Sequence, residues 1–236
     1  MFAPWVAAAA DLLLPRDCLG CAAPGPALCP RCVAAAGPAC AHRPDPVPPG
    51  FPPTWVCGPY AGTLRAAVLA YKERGRADLC GALAIALGAA VRAAVPAGQI
   101  LLVPVPSVRA AARHRGGDHM RRLAGRTAAG LRAEGRPATV LALLRTVGRP
   151  RDSAGLGAQE RAVNLAGAFR MVQRRGPALP GTLVIVDDVV TTGSTLASAA
   201  RALRGLHRPV YAAALAGTPR RSRHVHAPVS GLGPTD

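Results

Sequence analysis

The stretch LVIVDDVVTTGST at residues 183–195 decides the fold. Its first four residues are an apolar, largely β-branched run of the kind that fills a strand buried on both faces. Two acids, Asp187 and Asp188, follow where such a strand reaches the carboxyl edge of its sheet. Open α/β sheets collect their ligands at that edge. Thr191, Thr192, Gly193, Ser194 and Thr195 then turn the chain into a helix. Small hydroxyl residues around a glycine let backbone N–H groups converge on a phosphate at the positive end of the helix dipole. The dipole contributes only about 0.3–2 kcal/mol, so the N–H cradle and the hydroxyls must supply most of the grip. The two acids suit hydrogen bonds to vicinal ribose hydroxyls, or a Mg²⁺ held through water. The unit reads as a site for a phosphorylated ribose. Its plain structural alternative is a capped helix start.

Other phosphate motifs are absent. No G-x-x-x-x-G-K-[ST] occurs, which removes the NTPase loop, and Gly155 and Gly157 follow no strand, which removes the dinucleotide fingerprint.

Outward from this unit, the spacing predicts helices over 61–71, 77–95, 118–133, 158–166 and 194–205, and strands over 99–106, 138–145, 183–188 and 209–217. Apolar strands alternating with helices imply an α/β fold with a parallel sheet covered on both faces. The predicted organisation is an N-terminal helix and cysteine module over 1–59, an α/β domain over 60–217, and a disordered basic tail over 218–236.

The segment between Pro15 and Pro59 holds 12 of the 24 prolines and little periodicity. Such a stretch cannot bury a core of its own and needs a staple. Cys18, Cys21, Cys29 and Cys32 form C-x2-C-x7-C-x2-C, a pair of knuckles suited to four thiolates around one structural zinc. Four reduced cysteines are the alternative. Cys40 and His42 make only half a second site and read as ordinary loop residues, while Cys57 and Cys80 read as core.

The formal charge of +17 permits polyanion partners. Lys72 is, however, the only lysine among 29 basic residues, and the arginines are dispersed, as codon bias would leave them. Only three Phe, two Trp and three Tyr are present, so stacking platforms for single-stranded nucleic acid are scarce. The apolar residues 1–14 lack a basic start and are interrupted by Asp11. They read as a helix packing on the domain, with no membrane span and a cytoplasmic location expected.

The sequence resembles the type I phosphoribosyltransferases, whose signature is two acids followed by a threonine- and glycine-rich loop. More narrowly, it looks like the ComF family of competence-associated, phosphoribosyltransferase-like proteins. Six ordered features carry the resemblance: the Cys knuckles, YKERG (71–75), VPVP (103–106), RHRGGDH (113–119), the run with Arg161, Asn164 and Phe169, and the ribose loop. The resemblance implies a type I phosphoribosyltransferase fold with a small zinc-ribbon-like module. It implies that Pro104 and Ser107 face pyrophosphate with Arg109 nearby, and that Arg115 and Gly116 begin a flap. That block usually reads RGFNQ, so Gly117, Asp118 and His119 depart from it. Lys72 would supply a compact ammonium near the site, where a guanidinium would not fit; a solvent-facing lysine is its alternative.

In the reaction so implied, phosphoribosyl pyrophosphate loses pyrophosphate to a nucleophile. Asp187 and Asp188 orient the ribose, and residues 191–195 hold the 5′-phosphate. Mg²⁺, Arg109 and Arg115 neutralise the leaving group. No residue stands out as a general base; His119 is a weak candidate, since a lone histidine on a loop is usually solvated. The alternative is a non-catalytic adaptor of DNA uptake, binding single-stranded DNA, a helicase or other competence proteins.

Overall fold

A computed structural model of the chain describes residues 17–106, 118–147, 168–172 and 180–219. Helix α1 (Pro30–Ala34) starts within the second cysteine knuckle, with Cys29 as its N-cap, Cys32 inside it and its proline in the first turn, where a missing N–H costs nothing. Strands β1 (Cys40–Ala41) and β2 (Thr54–Pro59) come next. Helix α2 (Gly62–Glu73), a 3-10 turn (Ala77–Leu79), α3 (Cys80–Ala94) and β3 (Ile100–Pro104) follow. The remaining elements are α4 (His119–Ala133), β4 (Ala138–Val140), β5 (Leu144–Thr146), β6 (Phe169–Met171), β7 (Thr182–Val190), α5 (Ser194–Leu203) and β8 (Val210–Gly217).

The main sheet has six strands in the order β1-β2-β8-β7-β3-β4. All neighbours pair in parallel except β1, which runs antiparallel to β2. Period-2 alternation then assigns the two faces. Val184 and Val186 of β7, with Ile100 and Leu102 of β3, pack against Leu83, Leu87 and Val91 of α3 and Leu123 and Leu131 of α4. Leu183 and Ile185, with Leu101 and Val103, pack against Leu196, Ala199 and Leu203 of α5 and against Phe169 and Leu144 of the β5–β6 pair. This is an α/β architecture with a mostly parallel sheet buried on both sides.

Alanine does much of the packing. On β8, Ala212, Ala213, Ala214 and Ala216 are fully buried. Side chains this small bring helices close to the central strands and leave the large leucines to carry the transfer free energy, about 1.5–3 kcal/mol each. The stretch Ala77–Ala94 is long and apolar enough to cross a membrane, but 56% of it is buried inside the protein, as a core helix requires.

Two expectations are corrected. The predicted strand over 138–145 is two strands. Pairing of β4 with β3 ends at Leu102↔Val140, and the chain then turns, with Leu143 N–H donating to the Leu141 carbonyl at 2.9 Å. Leu144–Thr146 leaves the sheet and pairs antiparallel with Phe169–Met171. A continuous apolar run carries no period that would mark such a break. The second correction lies upstream: β2, in a segment read as having little periodicity and assigned to the N-terminal module, is a full member of the main sheet, with Val56 opposite Ala214. The helices expected over 1–14 and 158–166 lie outside the described residues, as does the tail from residue 220.

Candidate functional site

Strand β7 sits between β8 and β3, and its last residues carry the two acids to the carboxyl edge. Adjacent strand residues face opposite sides of a sheet. Asp187 therefore lies on the side of Ile185 and α5, and Asp188 on the side of Val186, α3 and α4. Both acids are buried.

Asp188 is surrounded by partners drawn from distant parts of the chain. Lys72 Nζ, from the last turn of α2, lies 2.8 Å from its Oδ2. His119 Nε2, from the first turn of α4, lies 3.3 Å from the same oxygen. Oδ1 accepts the Val189 N–H at 2.7 Å. Burial alone would raise the Asp188 pKa, but the His119 hydrogen bond and the Lys72 ammonium outweigh it and hold the carboxyl down at about 2. For Lys72, desolvation acts downward, and the charge and hydrogen bond of Asp188 prevail and raise its pKa.

Asp187 differs. Its Oδ1 accepts the Asp188 N–H at 2.9 Å. Burial first, and the adjacent Asp188 charge second, push its pKa up to about 8. One acid is thus held ionised, and its neighbour is held close to neutrality.

His119 is not the solvated loop residue expected from sequence. It is buried, its ring meets Tyr71 edge-on at 6.1 Å, and its carbonyl accepts the Tyr71 hydroxyl at 3.0 Å. Asp118 before it caps α4, accepting the N–H groups of Met120 at 3.0 Å and Arg121 at 3.2 Å. Two of the three residues that depart from RGFNQ therefore have defined structural work.

The turn after β7 is tightly built. Gly193 has φ +74, and a Cβ there would fall 2.7 Å from Phe51 Cε2 and 2.9 Å from Pro44 Cγ, so both conformation and space require glycine. Thr192 Oγ1 and Ser194 Oγ lie 3.0 Å apart. Ser194 is buried at the start of α5, which has no side-chain cap, while Thr191 is exposed and Thr195 half-buried. The hydroxyls thus border a helix N-terminus where the Ser194 N–H makes only a long bond, 3.5 Å, to Thr192 Oγ1. Pro104 ends β3 beside Val186, one residue from the acids. Ser107, Arg109 and Arg115 lie outside the described residues, as do Arg161 and Asn164.

The four knuckle cysteines converge. The Sγ atoms of Cys18, Cys21, Cys29 and Cys32 all lie within 4.8 Å of one another, and those of Cys21 and Cys29 are 3.8 Å apart. A tetrahedral zinc with Zn–S of about 2.3 Å sets its sulfurs about 3.8 Å apart, so the donor set fits the ion. Backbone N–H groups of Cys29 and Gly20 point at Cys18 Sγ, at 3.3 and 3.4 Å. Hydrogen bonds from the backbone of Cys29, Cys21 and Gly20 lower this thiol's pKa to about 6. The Cys29 side chain raises that of Cys32 to about 12, as expected when one thiol of a close set ionises first. Gly20 is required here too: a Cβ would meet Cys32 Sγ at 2.6 Å and Thr63 Cγ2 at 2.8 Å, so the knuckle sits directly on α2. Cys40 is exposed and belongs to no metal-capable group among the described residues. Cys57 is core, its thiol donating to the Ala86 carbonyl at 2.9 Å.

Sequence reasoning missed Tyr71 and misjudged His119. The signal for both was faint, because their partners are 48 and 69 residues away. No protein-family model matches this chain and no curated protein matches it, so the reading of the site rests on its own geometry.

Proposed function

We propose that the carboxyl edge of β7 binds a phosphoribosyl ligand, phosphoribosyl pyrophosphate with Mg²⁺ foremost, and that the fold is of the type I phosphoribosyltransferase kind in the manner of the ComF proteins. The observation that carries this reading is the continuity of one unit. A central parallel strand delivers two buried acids, and five residues later the left-handed Gly193 opens an uncapped helix N-terminus bordered by Thr192 and Ser194.

In this reading the N–H groups at the start of α5 and the hydroxyls of Thr191, Thr192, Ser194 and Thr195 hold the 5′-phosphate. That anchor positions the ribose over the acids, whose carboxyl groups hydrogen-bond its hydroxyls. Lys72 adds positive charge on the same edge. Mg²⁺ enters with the diphosphate, whose oxygens are its preferred ligands. Among the described residues the acids are already close-set or paired, so the ion would ride chiefly on the ligand. If phosphoribose is transferred, the bond from the anomeric carbon to pyrophosphate breaks and one to the acceptor nucleophile forms. The zinc site staples the N-terminal segment to α2 and takes no part in that chemistry.

Titration calorimetry with phosphoribosyl pyrophosphate and Mg²⁺ tests the proposal. The wild type should bind, and an Asp187→Asn/Asp188→Asn double variant should not. A wild type that gives no heat with this ligand, or with ribose 5-phosphate, sinks the reading. Binding without pyrophosphate release in the presence of candidate bases would identify a sensor rather than a transferase.

A further inference from the structure

At the amino edge of the sheet, opposite the acids, a hollow of about 490 Å³ lies between the C-terminal end of α5, the start of β8 and the chain leading into β2. Small-molecule sites span roughly 300–1,000 Å³, so the space suits a ligand of moderate size. Arg204, His207 and Arg208 line it, and no acid among the described residues does. Phe51, Pro209 and Val210 give it an apolar side. The basic side chains are placed by the fold. A Cβ on Gly50 would fall 2.9 Å from Arg204 Nη2, and Gly50 has φ +80, so glycine keeps the place of that guanidinium. Arg208 is half-buried, and its Nη2 donates to the Gly181 carbonyl at 2.7 Å. His207 has φ +48, uncommon for a residue with a side chain, and it ends the 3-10 turn Arg204–Leu206. Among the described residues the Arg204 and His207 side chains have no hydrogen-bond or ion-pair partner.

We propose that this hollow binds a free mononucleotide, with its phosphates on Arg204, His207 and Arg208 and its base against Phe51, Pro209 and Val210. A guanidinium matches two phosphate oxygens at once, and a diphosphate has enough oxygens to use both arginines. Inorganic phosphate alone would leave the apolar side unfilled. The negative end of the α5 dipole opposes an anion here, and the fixed charge of two guanidiniums outweighs it. This site is separate from the edge that carries the acids. The ten residues of α5, about 15 Å of helix, lie between Gly193 and Arg204. Val210 pairs with Leu183, at the far end of β7 from Asp187 and Asp188. The inference therefore does not depend on the phosphoribosyl reading.

Calorimetry with ADP on the full chain, at about 0.15 M salt to screen loose surface attraction, tests the proposal. ADP carries a ribose 5-phosphate of its own, so the titration is run in wild type and in the Asp187→Asn/Asp188→Asn chain. Both should bind ADP at the hollow, and Arg204→Gln should weaken that binding by about 10- to 100-fold in either background, the range for one hydrogen bond to a charged group. Arg204 and His207 are exposed, so their variants should melt as wild type does. Should Arg204→Gln melt low, His207→Gln carries the same expectation for ADP. Inorganic pyrophosphate should bind about 10-fold or more weakly than ADP, because it buries none of the apolar side. Failure of wild type to bind ADP overturns the proposal, as does ADP affinity unchanged in both Arg204→Gln and His207→Gln. Binding lost in the Asp187→Asn/Asp188→Asn chain alone would place ADP at the acids and leave the phosphoribosyl reading standing. Pyrophosphate that binds as tightly as ADP, or single-stranded oligothymidylate that displaces ADP at lower concentration, would overturn the assignment to a free nucleotide.

Discussion

Lys72 Nζ and Asp188 Oδ2 lie 2.8 Å apart, joining the last turn of α2 to the end of the central strand. The lysine side chain is about one-third exposed and the aspartate one-tenth, so the pair is neither a free surface bridge nor a sealed one. Removing the ammonium leaves a buried carboxylate with His119 as its remaining side-chain partner. Lys72→Met should therefore cost about 1–3 kcal/mol in urea denaturation, the range for a buried acceptor that loses a partner. Lys72→Arg should not restore it, because a planar fork does not fit an oxygen already shared with an imidazole. Wild-type stability in Lys72→Met would mean that the pair contributes nothing.

How much of this was legible beforehand depends on the range of the interaction. The ribose loop announced itself because strand, acids, glycine and helix are contiguous, so local sequence contains the whole unit. Lys72 stood out through composition, as a lone lysine in an arginine-rich chain. His119 could not be read, because what buries it is Tyr71 in one direction and Asp188 in the other, neither of them a sequence neighbour. Strand β2 was hidden for a different reason. Its residues TWVCGP mix strand formers with cysteine, glycine and proline, and its strand identity comes from parallel pairing with β8, more than 150 residues later. The break between β4 and β5 was invisible inside a uniformly apolar run.

The acids also make stability depend on pH in two opposing ways. Asp188 has a folded pKa below its unfolded value, so its contribution is complete above about pH 4 and is lost as pH falls towards about 2. Asp187 has a folded pKa above its unfolded value, so the fold is favoured while it is protonated and loses stability as pH rises from about 4 towards about 8. Asp187→Asn removes the second effect only. Its stability advantage over wild type should be absent near pH 4 and grow up to pH 8 in chemical denaturation curves. A constant difference across that interval would show that Asp187 titrates normally.

Zinc content is open to direct measurement. The preparation should carry one zinc per chain by mass spectrometry of the metal, and Cys21→Ser should reduce it. Because the knuckle rests on α2 through Gly20 and Thr63, a chelator should also lower the melting temperature of the whole protein, by several degrees or more. Metal-free protein with an unchanged melt would leave four reduced thiols as the better description.

The loop offers a sharper test, because its conformation and its contacts can be separated. Gly193→Ala places a Cβ at φ +74, which costs about 1–2 kcal/mol for the left-handed region alone. It also drives that Cβ into the Phe51 ring, 2.7 Å away. Phe51→Ala in the same chain removes the ring and leaves the backbone penalty and the Pro44 Cγ contact at 2.9 Å. The double variant should therefore be less destabilised than the sum of the singles, with a coupling of about 0.5–3 kcal/mol. Affinity for ribose 5-phosphate should follow a different course. If the N–H groups at the start of α5 hold the phosphate, relief of the Phe51 clash should recover binding only as far as the turn keeps its left-handed geometry. Full affinity in Gly193→Ala would mean that the phosphate is held elsewhere.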